Sequence, residues 1–269
     1  MAVREKNTGK FSDVPIRIRS WIIIIAVLTI GLIHPALTCL LFTTLSCMGL
    51  KEYLALEKVK DNRVLYSLLP LSVFQYAASY TGCYLLFLCI TPLYALLAGL
   101  WWRKMRIIVT GVIINILALG HLAFIASLNP TPMAGTKLLL FLLILTEWND
   151  VFQYLTGKCF GKRKITPRIS PNKTVEGLIG GVLLTTALAC GMGTFLIPDR
   201  SVVLYLCLGV VISLTGFCGD LFISYLKRKA GVKDTGTLIP GHGGLLDRMD
   251  SLIFISPLFY VLIHTLILP

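Results

Sequence analysis

Residues Val202 to Leu226 read VVLYLCLGVVISLTGFCGDLFISYL, a run of 25 residues in which Asp220 is the one charged side chain. A helix needs about 20 residues to cross the ~30 Å hydrocarbon core of a bilayer, so this run predicts a membrane-spanning helix. A carboxylate at that depth is costly unless it is paired, hydrated or bound to a cation. Asp220 therefore indicates a functional site, and the alternative is a structural ion pair between helices.

The rest of the chain shares this apolar character. Of the 269 residues, 56% are hydrophobic and 14% are charged, and the mean hydropathy is +0.81, whereas soluble domains carry about 25% charged residues. We expect one membrane-embedded domain over residues 1–269, with an all-α polytopic fold of about nine transmembrane helices. Residues 1–20 are polar and basic and predict a cytosolic N-terminal segment. The apolar segments are 21–33, 36–50, 64–82, 84–101, 107–128, 135–157, 175–197, 202–226 and 251–268.

Positive charge is concentrated on one side of this predicted topology. If the N-terminus is cytosolic, all but two of the 25 Lys and Arg residues fall in cytosolic loops, the exceptions being Lys137 and Arg200. This is the positive-inside pattern, so we expect the N-terminus in the cytosol and the C-terminus outside. The net charge of +12 is spread over short loops and not gathered on one soluble face, which argues against a nucleic-acid partner.

The cytosolic loop that follows Asp220 contains most of the candidate chemistry. It reads KDTGTLIPGHGGLLDRMD from Lys233 to Asp250. Its glycines allow backbone N–H groups to approach an anion closely. Basic side chains for phosphates beside carboxylates for a divalent ion are the inventory of a phosphoryl-transfer site. The charged residues in and around this loop are Lys227, Arg228, Lys233, Asp234, Asp247, Arg248 and Asp250.

A second cytosolic loop, GKRKITPRISPNKTVEGLIGG from Gly161 to Gly181, adds a cation. Ser170 followed by Pro171 predicts a helix start, with Ser170 as the N-cap. Lys173 then falls in the first turn, where the helix dipole disfavours a cation unless an anion binds there too. The alternative is that Lys173 belongs only to the positive-inside charge of the loop. Gly177 and Gly181 form a pair suited to close helix packing.

Two further acids lie in the helix that enters this second loop. Glu147 and Asp150 are three residues apart in LLILTEWNDVFQYLTGK, hence on one helix face, and Gln153 and Tyr154 follow on that face. Acids at this depth indicate either a functional site or a structural ion pair between helices. The sequence leaves the roles of Glu147 and Asp150 open.

The segment from Ser224 to Asp250, SYLKRKAGVKDTGTLIPGHGGLLDRMD, resembles the signature of the CDP-diacylglycerol synthases, also called phosphatidate cytidylyltransferases. The shared features are a serine, then K-R, K-D, H-G-G and D-R-x-D at matching spacings. The segment SPNKTVEG, Ser170 to Gly177, also resembles the family's S-P-x-K-T-x-E-G motif. One departure is DVFQY, Asp150 to Tyr154, where Phe and Gln replace small residues and change the expected shape of the pocket.

The resemblance implies a reaction and a set of roles. The reaction is transfer of a cytidylyl group from CTP to phosphatidic acid, giving CDP-diacylglycerol and pyrophosphate. The implied enzyme is a homodimer in the bacterial inner membrane, depends on Mg²⁺ with or without a second cation, and has its site on the cytosolic face. Asp220 and Asp247 are the implied metal ligands and, with Lys227 and Arg248, the implied catalytic residues. The implied substrate-binding residues are Ser170, Lys173, Ser224, Arg228, Lys233, Asp234, His242, Gly243, Gly244 and Asp250.

The expected chemistry suits these residue types. Phosphatidic acid carries its own nucleophile, an ionised phosphate oxygen, so the protein must chiefly offset repulsion between anions with metal and basic side chains. Two alternatives stay open. One is a nucleotidyltransferase or kinase that acts on another lipid phosphate, and the other is an ion-coupled transporter, because buried acids also suit a cation pathway.

Overall fold

A computed structural model describes residues 14–128, 134–240 and 243–267, and within these ranges the chain is mostly helical. Two π-helical segments interrupt the regular helices: Ile113–Ala118 joins α5 to α6, and Ile263–Ile267 continues α11. The α-helices are α1 (Val14–Gly31), α2 (Pro35–Leu56), α3 (Asn62–Thr81), α4 (Tyr84–Trp101), α5 (Met105–Val112), α6 (Leu119–Ser127), α7 (Ala134–Phe160), α8 (Val175–Leu196), α9 (Val202–Ala230), α10 (Leu246–Met249) and α11 (Leu252–Leu262).

These helices cover the nine apolar segments that the sequence predicts, but not all of them qualify as membrane spans. Within the described ranges, six helices are long and apolar enough to cross a membrane: α2, α4, the continuous α5–α6 rod, α7, α8 and α9. The apolar parts of α1 and of α11 with its π-helical extension are shorter. The helix α3 is less apolar than these, because it contains Arg63, Gln75 and several serines. The count of nine spans and the orientation of the N-terminus stay predictions.

The helices α7, α8 and α9 pack side by side and form the frame of the site. Asn149 of α7 is fully buried, and its side-chain oxygen accepts hydrogen bonds from Thr185 of α8 at 3.2 Å and from Ser213 of α9 at 2.5 Å. A Cβ atom at Gly177 would lie 2.9 Å from the carbonyl oxygen of Gln153. The predicted close packing at this glycine is therefore observed, because a larger residue would push α8 away from α7.

The loop between α7 and α8 differs from the prediction. Residues Ser170–Thr174 form strand β2, which pairs antiparallel with β1 (Lys164–Thr166). The helix α8 begins at Val175, and Thr174 caps it by accepting a hydrogen bond from the N–H of Gly177 at 3.1 Å. The predicted helix start at Ser170 is wrong, because a residue before proline favours extended backbone and a threonine further on serves equally well as the cap.

Because α8 begins at Val175, the environment of Lys173 also differs from the prediction. Lys173 lies in strand β2 and not in the first turn of α8, where the structure has Glu176 instead. The Glu176 carboxylate accepts hydrogen bonds from the N–H groups of Lys162 and Arg163, at 2.9 and 3.1 Å, and so ties β1 to the start of α8. The helix-dipole argument for an anion at Lys173 therefore does not apply.

The segment after α9 returns across the cytosolic end that the charge pattern predicts. Gly231 ends α9 in the left-handed conformation, with φ of +78°. Ile239 and Gly243 form an antiparallel bridge, and Gly243 has φ of +89°, a conformation that favours glycine. The short helix α10 then packs against α2 and α9 before α11 begins.

Candidate active site

Asp220 lies where α9 meets the β-hairpin. Its Oδ2 atom is 2.6 Å from Nζ of Lys173, and its Oδ1 atom accepts a hydrogen bond from the Ser224 hydroxyl at 3.1 Å. The Lys173 and Asp220 side chains are 15% and 25% exposed, so water screens this ion pair less than a surface pair. The Lys173 ammonium also lies 4.3 Å from the centre of the Phe217 ring. The structure thus brings together residues from both predicted motifs.

A cavity of about 200 Å³ opens beside this ion pair, and we call it the Lys173 cavity. Strand β2 contributes Ser170 and Asn172 to its wall, and α7 contributes Asp150 and Gln153. Ser170 therefore shares the cavity with Lys173 although it caps no helix. The side-chain nitrogen of Gln153 is buried, and among the described residues it has no hydrogen-bond partner. The cavity thus presents hydrogen-bond donors beside two carboxylates, an arrangement that suits a phosphate and a cation together.

Three carboxylates converge near this cavity, from Asp150, Asp220 and Asp250. Asp150 accepts a hydrogen bond from the Ser251 hydroxyl at 3.2 Å, and Asp250 accepts one from the Ser251 N–H at 2.8 Å. Burial, together with the negative charges of Asp220 and Asp150, raises the pKa of Asp250 well above its ordinary value, and Lys227 offsets part of this rise. Bringing these acids together is unfavourable for the protein alone, so a cation would relieve their repulsion.

Asp247 holds the loop after α9 in place. Its Oδ1 atom accepts a hydrogen bond from Lys227 Nζ at 2.7 Å. Its Oδ2 atom accepts three, from the N–H and hydroxyl of Thr235 at 2.8 and 3.0 Å and from the N–H of Gly244 at 2.9 Å. Burial raises the pKa of Asp247, but the hydrogen bonds, first that of Lys227, outweigh burial and lower the pKa below its ordinary value. Asp247 therefore stays an anion at neutral pH.

The backbone N–H groups of this loop bind carboxylates of the protein itself. The glycines were predicted to contact an external anion, whereas the N–H of Gly244 donates to Asp247. The next two, of Leu245 and Leu246, each donate to Glu52 at 2.8 Å. Glu52 was not among the predicted site residues, because it lies in α2, 183 residues before its partner Thr235. In the sequence, Glu52 stands out only as an acid at the positively charged end of an apolar helix.

The remaining predicted residues are distributed around this loop. The Arg228 side chain donates to the carbonyl oxygens of Ile169 and Val232, both at 3.1 Å, and so ties α9 to the hairpin. Lys233 and Asp234 are exposed at the loop surface. His242 lies outside the described residues.

Arg248 and Glu147 line a second cavity, of about 450 Å³, which we call the Glu147 cavity. It shares Asp150 and Tyr154 with the Lys173 cavity. A third, apolar cavity of about 110 Å³ shares Glu147 and Arg248 with the second. The wall of this apolar cavity includes Leu28 of α1, Phe42 and Leu45 of α2, and Leu143 of α7. The three cavities are therefore neighbours, in a row from the ion pair to an apolar region.

The donor set is suitable for a divalent metal, although no cluster is preformed. Within the described ranges, no three His, Cys, Asp or Glu side chains are already arranged around one point as ligands. Asp220 and Asp247, the predicted ligands, contact Lys173 and Lys227 respectively. The carboxylates near Asp220 nevertheless supply the hard oxygen atoms that Mg²⁺ prefers, and their mutual repulsion favours a cation.

Comparison with known proteins identifies relatives over most of the chain. The model of the cytidylyltransferase family matches residues 15–266. The protein YnbB of Escherichia coli (strain K12), described as uncharacterized, is 40% identical across 95% of this chain and 89% of its own length. Phosphatidate cytidylyltransferases of Staphylococcus epidermidis and Staphylococcus aureus are each 41% identical over 133 residues. That region covers 49% of this chain and 51% of each enzyme.

Proposed function

Because the chain belongs to the cytidylyltransferase family, we propose that it transfers a cytidylyl group from CTP to phosphatidic acid. The products are CDP-diacylglycerol and pyrophosphate. The observation that carries this proposal is the Lys173–Asp220 ion pair, in which a phosphate-binding cation and a metal-binding acid from two separate motifs share one cavity. The relatives named phosphatidate cytidylyltransferases support the choice of lipid.

The reaction is an in-line displacement at phosphorus. An oxygen of the lipid phosphate attacks the α-phosphorus of CTP, a new P–O bond forms, and the bond to the β-phosphate breaks as pyrophosphate leaves. The attacking oxygen is ionised near neutral pH, so no general base is required. The protein must instead bring two anions together and stabilise the charge that develops on the leaving group.

Basic and polar side chains perform that task. Lys173, Ser170 and Asn172 bind phosphate oxygens in the Lys173 cavity, and the buried amide of Gln153 donates a further hydrogen bond. Lys227 neutralises Asp247 and keeps the loop after α9 closed against α9. On substrate binding, Lys173 exchanges its partner, because a phosphate oxygen takes the place of Asp220.

A magnesium ion is part of this proposal. Asp220 would be its first ligand, with Asp150 and Asp250 as the neighbouring carboxylates. Asp247 was also an expected ligand, and its Oδ1 atom, which has Lys227 as its partner, is the one available for that role. When bound, the ion would offset the negative charge of the triphosphate and of the departing pyrophosphate.

The row of three neighbouring cavities supports a lipid substrate. CTP enters the Lys173 cavity, and the lipid phosphate approaches through the Glu147 cavity. There Arg248 supplies a cation and Glu147 supplies the acid beside it. The acyl chains extend toward the apolar cavity between α1, α2 and α7. We propose that the site faces the cytosol of a bacterial cell, at the inner membrane, and that the enzyme is a homodimer.

The test is analysis of products from the purified protein in detergent with Mg²⁺ and CTP. Phosphatidic acid, a polyprenyl phosphate and diacylglycerol are offered separately, and lipid and pyrophosphate products are quantified. We expect CDP-diacylglycerol and pyrophosphate in equal amounts from phosphatidic acid alone. A cytidylylated polyprenyl product, or a phosphorylated lipid with release of CDP, would replace this function with the corresponding alternative. Cation flux in vesicles without any product would favour a transporter.

A further inference from the structure

A carboxylate outside both predicted motifs holds the start of α10. Glu52 lies in the last turns of α2, and its Oε1 atom accepts a hydrogen bond from the N–H of Leu245 at 2.8 Å. Its Oε2 atom accepts one from the N–H of Leu246 at 2.8 Å and one from the Thr235 hydroxyl at 3.1 Å. Hydrogen bonds to an ionised acceptor are about twice as strong as neutral ones. Glu52 is therefore a firm attachment between α2 and the loop.

The loop backbone lies directly on this carboxylate. A Cβ atom at Gly236 would lie 2.9 Å from Oε1 of Glu52, and one at Gly244 would overlap the Thr235 hydroxyl and crowd Oε2 of Glu52. Two glycines on opposite arms of the loop thus leave the room that the Glu52 head group fills. These glycines are explained by an internal anion, Glu52, and need no external phosphate.

Thr235 links Glu52 to Asp247. The buried Thr235 hydroxyl lies 3.1 Å from Oε2 of Glu52 and 3.0 Å from Oδ2 of Asp247. A hydroxyl carries one proton, so it donates to one carboxylate at a time while the backbone N–H groups satisfy both. Any displacement of Glu52 therefore changes the hydrogen bonds of Asp247 as well.

We propose that Glu52 is a positioning residue, which fixes α10 so that Asp247 and Arg248 face the site. The expected effect of Glu52 on activity rests on the proposed cytidylyl transfer. Its effect on the stability of the loop can be measured without substrate. The side chain of Glu52 acts through the start of α10 and touches no reacting group.

The central variant is Glu52→Gln, which keeps the shape of the side chain but replaces one acceptor oxygen by an N–H donor. One of the N–H groups of Leu245 and Leu246 then faces another donor. We expect kcat to fall about ten- to a hundredfold, the effect of losing one charge-assisted hydrogen bond. KM for CTP should change less, because Lys173 and Ser170 are held by the β-hairpin and by the ion pair with Asp220 of α9, and not by α10.

The second readout is amide hydrogen exchange of the protein without substrate. In Glu52→Gln, the amides of residues 235–239 and 243–249 should exchange at least about tenfold faster, while those of 205–223 in α9 keep their wild-type rates. A general loss of stability would raise exchange in both segments. Glu57→Gln, at the end of the same helix, is the matched control and should change neither kcat nor exchange.

A second pair of variants tests the link from Thr235 without altering α2. Thr235→Ser keeps the hydroxyl and should retain most of the activity, whereas Thr235→Val keeps the shape but loses the donor and should resemble Glu52→Gln. This pair decides the question if Glu52→Gln does not fold.

Wild-type kcat and wild-type exchange in both Glu52→Gln and Thr235→Val would overturn the inference, as would faster exchange throughout the protein in both. If the wild-type protein makes no cytidylylated lipid, the proposed function fails. Faster amide exchange confined to the loop and α10 in Glu52→Gln would still establish that Glu52 stabilises this segment.

Discussion

Lys173 and Asp220 form an ion pair, 2.6 Å between Nζ and Oδ2, that joins the β-hairpin to α9. In the proposed reaction both partners leave this pair: Lys173 for a phosphate oxygen and Asp220 for a metal ion. The pair thus keeps both charges neutralised while the site holds no substrate, since an uncompensated charge in a half-buried position is unfavourable. In the proposed reaction, binding of CTP together with Mg²⁺ would replace this ion pair by a contact of Lys173 with phosphate and a contact of Asp220 with the metal.

The first prediction concerns the cation of this pair. Lys173→Ala removes a charge-assisted contact of about 1.5–3 kcal/mol to a phosphate, so kcat/KM for CTP should fall about ten- to a hundredfold. Steady-state kinetics in detergent measures this change. Lys164→Ala, an exposed lysine of the same hairpin, is the control and should keep wild-type activity. Wild-type kcat/KM in Lys173→Ala would remove the hairpin from the site.

The second prediction separates the two acids assigned to the metal. Asp220→Asn and Asp247→Asn should each reduce turnover by about a hundredfold or more at saturating Mg²⁺. Asp247→Asn should also lower the free energy of unfolding, by about 1–3 kcal/mol, because its carboxylate satisfies buried donors of the loop. Asp220→Asn should lower it less, because the loss of the ion pair with Lys173 is offset by relief of the repulsion from Asp150 and Asp250. Magnesium titrations and thermal unfolding without substrate measure the two effects. Near-normal turnover in either variant would refute its assignment.

The third prediction concerns the pH dependence that Asp250 confers. The folded-state pKa of Asp250 is raised, chiefly by burial, so its ionisation disfavours the folded state. This cost is absent below the unfolded-state pKa, grows as the pH rises from there toward the folded-state pKa, and is constant above it. Asp250→Asn should therefore be more stable than the wild type at neutral pH, with a difference that shrinks on acidification. Thermal unfolding at several pH values without Mg²⁺ measures it, and Asp234→Asn, at an exposed loop position, should show no such trend.

The fourth prediction concerns the apolar cavity. Leu143→Trp places a larger side chain in its wall, so activity should fall more with dioleoyl than with dihexanoyl phosphatidic acid. KM for CTP should not change, because the Lys173 cavity has no wall in common with Leu143. Parallel kinetics with the two lipids measures this selectivity. Leu155→Trp, at an exposed position of the same helix, should reduce activity with neither lipid. An equal loss with both lipids in Leu143→Trp would argue against an acyl-chain site.

The fifth prediction concerns orientation. Ser201→Cys and Thr237→Cys place single thiols at exposed positions on opposite predicted faces, in a background from which the native cysteines are removed. A membrane-impermeant maleimide added to intact cells should label Ser201→Cys and not Thr237→Cys, because positively charged loops stay in the cytosol. Labelling of both in sealed cells, or the reverse pattern, would overturn the orientation.

Hydropathy predicted the helices well because membrane helices satisfy their backbone hydrogen bonds internally and expose apolar side chains to lipid. It failed at Ser170–Thr174, where a short polar segment with a proline favours extended backbone and where two residues compete to cap α8. The motifs predicted Asp220, Ser224 and Lys173 to share a site, and both Lys173 and Ser224 contact Asp220. Glu52 was beyond such reasoning, because its role depends on contacts with residues far along the chain.

The separation between Glu52 and its partners also bears on how the protein is made. The carboxylate belongs to α2, but the groups that it binds are synthesised 183 to 194 residues later. During translation α2 is complete long before Thr235, Leu245 and Leu246 are made, so Glu52 lacks these three hydrogen bonds until then. The final contact closes a very large loop of chain, and contacts of this kind form late in folding. If the proposed function holds, a nascent chain released before α10 would be inactive, because it would lack Asp247 and Arg248.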